Sequence, residues 1–248
     1  GTNSIPEMER IQTGVAPKLA ANADAIALDP KLFARVSALH AKRDQLGLDA
    51  QQLRLLDRYM LDFVRAGAKL DDKQKVRLRE INAELASLQT TFNQNLLKEN
   101  NASAVVVETR AELAGLSDGA IAAAAEAAKS RQLEGKYVLA LQNTSGQPAL
   151  VSLQDRALRE RLQKASVNRA SRGGEFDNRA TLARVVKLRA ERAALLGYAN
   201  YATYVLEDQT AGTPAAVNKM MADMAPAAVA NAKAEAAAMQ AIVDAADG

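Results

Sequence analysis

Residues 71–100 read DDKQKVRLREINAELASLQTTFNQNLLKEN, and this stretch decides the fold. Leu78, Ile81, Leu85, Leu88, Phe92 and Leu96 step by three or four residues, which places all six on one face of an α-helix. Asp71 stands where an N-cap belongs. At 1.5 Å per residue the helix is roughly 40 Å long. Full burial of six such side chains contributes on the order of 10–15 kcal/mol before conformational entropy is charged. The opposite face carries Lys73, Lys75, Arg79 and Glu80, which suits water or a polar channel.

The same punctuation recurs toward the N-terminus. Ser4, Pro6 and Glu7 predict the start of a first helix. Asp29-Pro30 opens a second, with Leu32, Phe33, Val36 and Leu39 on one face and Gly47 as its stop. Asp49 caps a third, striped by Leu53, Leu56, Met60 and Val64 and ended by Gly67.

Beyond residue 103 the pattern changes. Ala104-Val105-Val106-Val107 is short and β-branched, and Lys136 to Leu141 repeats that character, so two strands are predicted. Between them Thr109 with Glu112 opens a short helix, and Ser117 caps another that Gly135 closes. Asn143-Thr144-Ser145-Gly146 is a turn. Helix resumes at Pro148, runs from Asp155 to Ala170, and breaks at Gly173-Gly174. Asn178 caps a helix carrying Leu182, Val185, Val186, Leu188 and Leu195, and Asn200 caps a short one with Tyr201 and Tyr204. Thr213-Pro214 opens the last helix, where Pro226 is a kink candidate. The fold class is therefore mostly α with a small inset β-hairpin or two-stranded sheet. One domain spans residues 1–248, with helices over about 5–103, a β/α inset over about 104–146 and helices over about 147–248. No solenoid period recurs.

Composition agrees and excludes several functions. Ala, Leu, Lys, Arg, Glu and Gln are abundant, which favours helix. The 32 basic and 29 acidic residues are interleaved: Arg156, Arg159 and Arg161 sit among Asp155 and Glu160. No cationic stripe for phosphate forms, so nucleic acid is not an expected partner. There is no cysteine, which removes thiolate metal sites and disulfides. No run of 18 apolar residues exists to cross a membrane as a helix. Gly1-Thr2-Asn3-Ser4 lacks an initiator Met, and the last helix has no stop motif, so a piece of a longer chain is expected. The compartment expected is the cytoplasm, or the periplasm if a leader has been removed.

Candidate chemistry is sparse. A helical zinc-hydrolase site needs two histidines at i and i+4 and a glutamate beside the first. The chain holds one histidine, His40, read as a partly exposed helix residue. Asp71-Asp72 is a carboxylate pair better explained by capping. Glu175 and Asp177, after the glycine pair, could take a cation but suit a helix start. Tyr198, Tyr201 and Tyr204 could form a binding surface, or pack one helix face with hydroxyls at its edge. No catalytic, cofactor-binding or metal residue is assigned.

Asn168-Arg169-Ala170-Ser171-Arg172-Gly173, then Phe176-Asp177-Asn178-Arg179, then Leu188 through Ala202 (LRAERAALLGYANYA) resembles the thimet-oligopeptidase family of zinc peptidases, most of all its bacterial peptidyl-dipeptidases. Gln142 to Leu150, Ala16 to Ala20 and Tyr59 to Gly67 are similar as well. The likeness runs from about Ile5 to beyond Met239 and covers less than half of a typical member. The resemblance implies the N-terminal part of a neurolysin-like, mostly helical body split by a deep channel. It implies a zinc ion on the channel floor, held by a His-Glu-x-x-His helix and a downstream glutamate, with the motif glutamate activating water. It also implies removal of C-terminal dipeptides from short peptides. The zinc ligands lie later in the family sequence and match no position here. The expected role is a non-catalytic channel wall, with zinc in the full-length protein and none in this portion. A polar helix face near the Asn143 turn, or from Lys73 to Arg79, is expected to look into the channel. The missing C-terminal catalytic half and short peptides are the expected partners, and the isolated portion is expected to self-associate. A standalone helical interaction module without chemistry is the alternative, and a helical adaptor for acidic partners a third reading.

Overall fold

The computed structural model describes residues 5–142 and 146–247. Ser4 and residues 143–145, and with them the predicted first cap and most of the predicted turn, lie outside the described residues. Helices α1 (Pro6–Ala27), α2 (Pro30–Ala41), α3 (Ala50–Arg65) and α4 (Asp72–Ala102) come first. Strand β1 (Val105–Val107), helix α5 (Asp118–Lys129) and strand β2 (Tyr137–Leu139) form the inset. Helices α6 (Ala149–Ser152), α7 (Arg156–Val167), α8 (Arg179–Leu195), α9 (Tyr201–Leu206) and α10 (Pro214–Asp247) follow. The mostly α fold class with a small two-stranded sheet is what the chain adopts.

The acidic caps act as their positions require. Asp29 accepts from the Leu32 amide at 2.7 Å. Asp49 with Gln52, and Asp71 with Gln74, each form a reciprocal capping box. Asn178 does not: it holds the N-cap position of α8 without a side-chain cap bond. Its amide is buried, donating to the Phe92 carbonyl and accepting from Asn95, so it ties α8 to α4. Asp177 takes over the turn, accepting from the Gly173 and Arg179 amides.

Three helix ends fall earlier than glycine alone predicts. α2 stops at Ala41 and a 3-10 turn, Arg43–Gln45, fills the gap before Gly47. α5 stops at Lys129, and α7 stops at Val167 rather than Ala170, which has φ 53°. At each site the left-handed residue terminates a short connecting turn instead of the helix itself. α1 begins with Ile5 at its cap position and no side-chain cap. α10 is one continuous helix through Pro226.

Two cores result. In the inset, β1 and β2 pair antiparallel, with Val105 opposite Leu139 and Val107 opposite Tyr137. The strands are joined through α5 rather than a tight hairpin. Val105, Val107, Leu113, Ile121, Leu141, Leu153, Leu158 and Leu162 close beneath them. The second core lies where α4 meets α1 and α8. Leu78, Ile81 and Leu188 are completely buried, and Val185 nearly so.

The α4 stripe is therefore buried unevenly. Leu78 and Ile81 are inside, whereas Leu85, Leu88, Phe92 and Leu96 are half-covered. Two full burials contribute about 3–6 kcal/mol, less than the six-residue sum. Lys75, expected on the polar face, is buried, whereas Lys73, Arg79 and Glu80 stay exposed. A lysine one turn into α4 can bury its methylene stem along apolar neighbours. On α8, Leu182 and Val186 are more than half exposed, so the predicted stripe is only partly inward. Most of α10 is exposed, including Met220, Met221, Met224, Met239 and Ile242.

Candidate functional site: an arginine and tyrosine cluster

A cluster of arginines, tyrosines and carboxylates lies where the C-terminal end of α3 meets α8 and α9. Asn200 opens α9 by accepting from the Thr203 amide at 2.9 Å. Gly197, with φ 85°, turns the chain back from α8 so that Tyr198 faces α9. The Tyr198 and Tyr204 rings meet edge to face at 5.2 Å, and Tyr201 and Tyr204 lie 5.9 Å apart. The sequence left these three tyrosines open between packing and binding. The structure gathers all three into one cluster, with helix spacing for Tyr201 and Tyr204 and a glycine turn for Tyr198.

Arginines surround the rings. Arg65, buried at the end of α3, lies 4.5 Å from the Tyr204 centroid and donates to its carbonyl at 2.7 Å. Its charge is met by Glu207 at 2.6 Å and Asp208 at 3.5 Å. Arg58 reaches Asp208 at 3.0 Å. Arg192 lies over Tyr204 from α8 and donates to its hydroxyl at 3.1 Å, and Arg189 lies over Tyr201. Tyr198 donates to Glu207 at 2.5 Å, and burial, with that carboxylate next in importance, pushes its hydroxyl up to about 12. At neutral pH the Tyr198 hydroxyl is therefore a donor, not a phenolate. Sequence reasoning missed Arg65, Arg189 and Arg192. Helix spacing puts Arg189 and Arg192 one turn apart, but no local signal says that α3 arrives beside them.

The other candidates separate into structural roles. The His40 Nε2 is 3.1 Å from an Asp57 carboxylate oxygen, which joins α2 to α3. Asp71 caps α4, and Asp72 occupies its first turn. Asp177 is engaged by Arg179 and two amides, which hold its carboxyl well below the usual range, while Glu175 is exposed. Among the described residues no group of three or more His, Cys, Asp or Glu side chains is placed to hold a metal ion. No described helix is long and apolar enough to cross a membrane.

Asp24 is a further buried acid. It accepts from Asn82 Nδ2 at 2.7 Å, joining α1 to α4. Burial raises its pKa above the ordinary carboxylate value, opposed by Asn82 and then by Arg192 and Arg79. The folded chain thus holds this proton to higher pH than the unfolded chain, whose aspartates titrate near about 3.9. The stability tied to Asp24 is complete below that value and declines as pH rises through the raised folded one. Asp24→Asn cannot ionise. Its urea midpoint should gain on the parent sequence between about pH 4 and about pH 7, and a gap constant across that range would refute the assignment.

A family model, Peptidase family M3, matches residues 149–248. Dipeptidyl carboxypeptidase of Escherichia coli (strain K12) is 42% identical over 238 residues, covering 96% of this chain and 35% of that protein. Dipeptidyl carboxypeptidase of Salmonella typhimurium is 41% identical, covering 98% of this chain and 36% of that protein. Oligopeptidase A of Escherichia coli is 33% identical over 72% of this chain. The chain spans about a third of the length of the two dipeptidyl carboxypeptidases. Arg189, Arg192 and the three clustered tyrosines all fall inside the segment that the family model matches.

Proposed function

We propose that this chain, whose residues 149–248 match the model of peptidase family M3, is a non-catalytic, N-terminal wall of a zinc peptidase that removes dipeptides from the carboxyl ends of short peptides. One observation carries the reading. The chain aligns over 96% of its length with a dipeptidyl carboxypeptidase, yet contains one histidine and no cysteine. Its residues do not fit a catalytic zinc, which takes three protein ligands of the His, Glu or Cys type around one open position. Here His40 is engaged by Asp57, and no described cluster supplies the set. Ligands and the water-activating base then belong to other parts of the parent protein.

What this chain contributes is shape. α4 and α8 are clamped by two bidentate pairs, Arg184 to Glu84 at 2.6 and 2.7 Å and Arg77 to Glu191 at 2.7 and 3.0 Å. Planar forks of this kind fix orientation as well as distance. Such a wall admits an extended peptide and turns away folded domains by its rigidity. The exposed Lys73, Arg79 and Glu80 are the face we assign to the channel. The reading takes one domain over residues 1–248, and the cytoplasm as the compartment, with the periplasm as alternative.

A chimera tests it. The matching third of the Escherichia coli dipeptidyl carboxypeptidase is replaced by this chain, and release of C-terminal dipeptides is followed with and without a chelator. The chimera should cleave and this chain alone should not. Chelator-sensitive release by the chain alone, free of contaminating protease, would overturn the proposal. The partners proposed are the catalytic remainder and short peptides. Exposed Leu182, Val186, Met220, Met224 and Ile242 should also drive the isolated chain to self-associate, which light scattering reads as mass rising with concentration. A constant monomer mass would count against it.

A further inference from the structure

α8 carries four arginines, and they divide into two kinds. Arg179 is held by Asp177 and Arg184 by Glu84. Arg189 and Arg192, one turn apart, make no ion pair with a carboxylate among the described residues. Arg189 lies 5.1 Å from the Tyr201 centroid, and Arg192 5.4 Å from that of Tyr204. Arg192 Nε is buried and has no hydrogen-bond partner, although its neighbouring nitrogen donates to the Tyr204 hydroxyl.

The local acids are already engaged. Glu191 is held by Arg77, and Glu207 and Asp208 by Arg65. Asp24 acts on Arg192 through space. Arg189 therefore has the least compensated charge of the cluster. A guanidinium lying against a ring presents its edge, with paired N–H donors, to a planar anion. The half-covered setting lowers the cost of bringing that anion in, because part of the water is already displaced.

We propose that Arg189, supported by Arg192 and backed by Tyr201 and Tyr204, is a binding site for a peptide carboxylate. The carboxylate is either a peptide's C-terminal group or an acidic side chain. The site rests on the peptidase reading only for the choice of a peptide as ligand.

The chain reports on this site directly. It has no tryptophan and five tyrosines, three of them in the cluster, so tyrosine fluorescence follows it. Three probes are titrated into the full chain at low salt: acetyl-Ala-Ala with a free carboxylate, its C-terminal amide, and acetyl-Ala-Glu-Ala-amide. The free acid should give a saturable response with Kd of about 1–10 mM. The amide should bind at least about tenfold more weakly, and added salt should weaken the acid. Arg189→Gln should lose at least about tenfold in affinity, and Arg189→Lys should fall between, because it keeps the charge and loses the fork. Urea midpoints of both variants within error of the parent sequence show that the fold is intact. Binding by the Glu peptide equal to the acid supports the site and assigns it to side chains. Much weaker binding by that peptide supports it and assigns it to chain ends. Equal binding of acid and amide, an unchanged affinity in Arg189→Gln, or no saturation by either carboxylate probe would overturn the proposal. The chimera assay reads catalysis and this titration reads binding, so each can fail alone.

Discussion

Gly115→Ala is expected to destabilise the chain by about 3–5 kcal/mol, which is at the upper end for a single added methyl group. Gly115 sits at φ 94°, where an L side chain is strained. A methyl carbon there would lie 1.9 Å from the backbone carbonyl oxygen of Ser152 and 3.0 Å from its carbon. The obstacle is main chain at the end of α6, held by the bond from the Gln154 amide to the Ala114 carbonyl at 2.9 Å. It cannot swing aside as a rotamer would. Relief requires parting the loop after the 3-10 turn Arg110–Leu113 from α6, which opens the inset core around Leu113 and Leu153. Gly119→Ala is the control. Gly119 is helical with nothing within 4 Å of the added carbon, so that change should stabilise by about 0.5 kcal/mol. Urea unfolding of both variants checks the pair, and a Gly115→Ala midpoint near that of the parent would refute the packing.

Leu78→Ala is expected to cost about 3–5 kcal/mol, by lost transfer energy and by the cavity left behind. Leu78 has no exposed surface, and its Cδ2 lies where a methyl on Gly67 would be placed, 2.5 Å away. Leu70 and Leu196 close the same space. Collapse into the hole is limited because α4 is fixed by the two arginine forks to α8. Leu182→Ala, one helix away and 52% exposed, should change stability by less than about 0.5 kcal/mol. Equal effects from the two substitutions would mean that the α4–α8 core is not where the structure places it.

The contrast between those two leucines marks how far the sequence can be read. Periodicity names a stripe but not how much of it a neighbour covers. Leu78 and Ile81 are fully covered, with Leu70 and Leu196 closing the space between Leu78 and Gly67, whereas Leu85 to Leu96 are covered only in part although α1 and α8 both run alongside them. Caps are legible because the chemistry is local: Asp29, Asp49, Asp71 and Asn200 bond amides three residues on. Asn178 carries the same signal and does something else, because Phe92 and Asn95 reach it from 80 or more residues earlier in the chain. The β/α inset is legible from its valines, whereas its pairing through α5 is tertiary. In the arginine and tyrosine cluster, the spacing of Tyr201 and Tyr204 is readable, but the arrival of Arg65 is not. Long-range approach is the part that local pattern omits.

α10 has a consequence for how the chain unfolds. Its 34 residues meet the rest of the described chain chiefly through α9. Its persistence as a coil-free rod then rests on alanine-rich propensity and on intrahelical pairs such as Lys219 with Asp223 and Gln240 with Asp244. Helices held in this way fray from the ends and melt gradually, and Pro226 removes one amide bond from the interior. On heating, ellipticity at 222 nm should therefore begin to fall before tyrosine emission does, and a single calorimetric enthalpy would describe neither process.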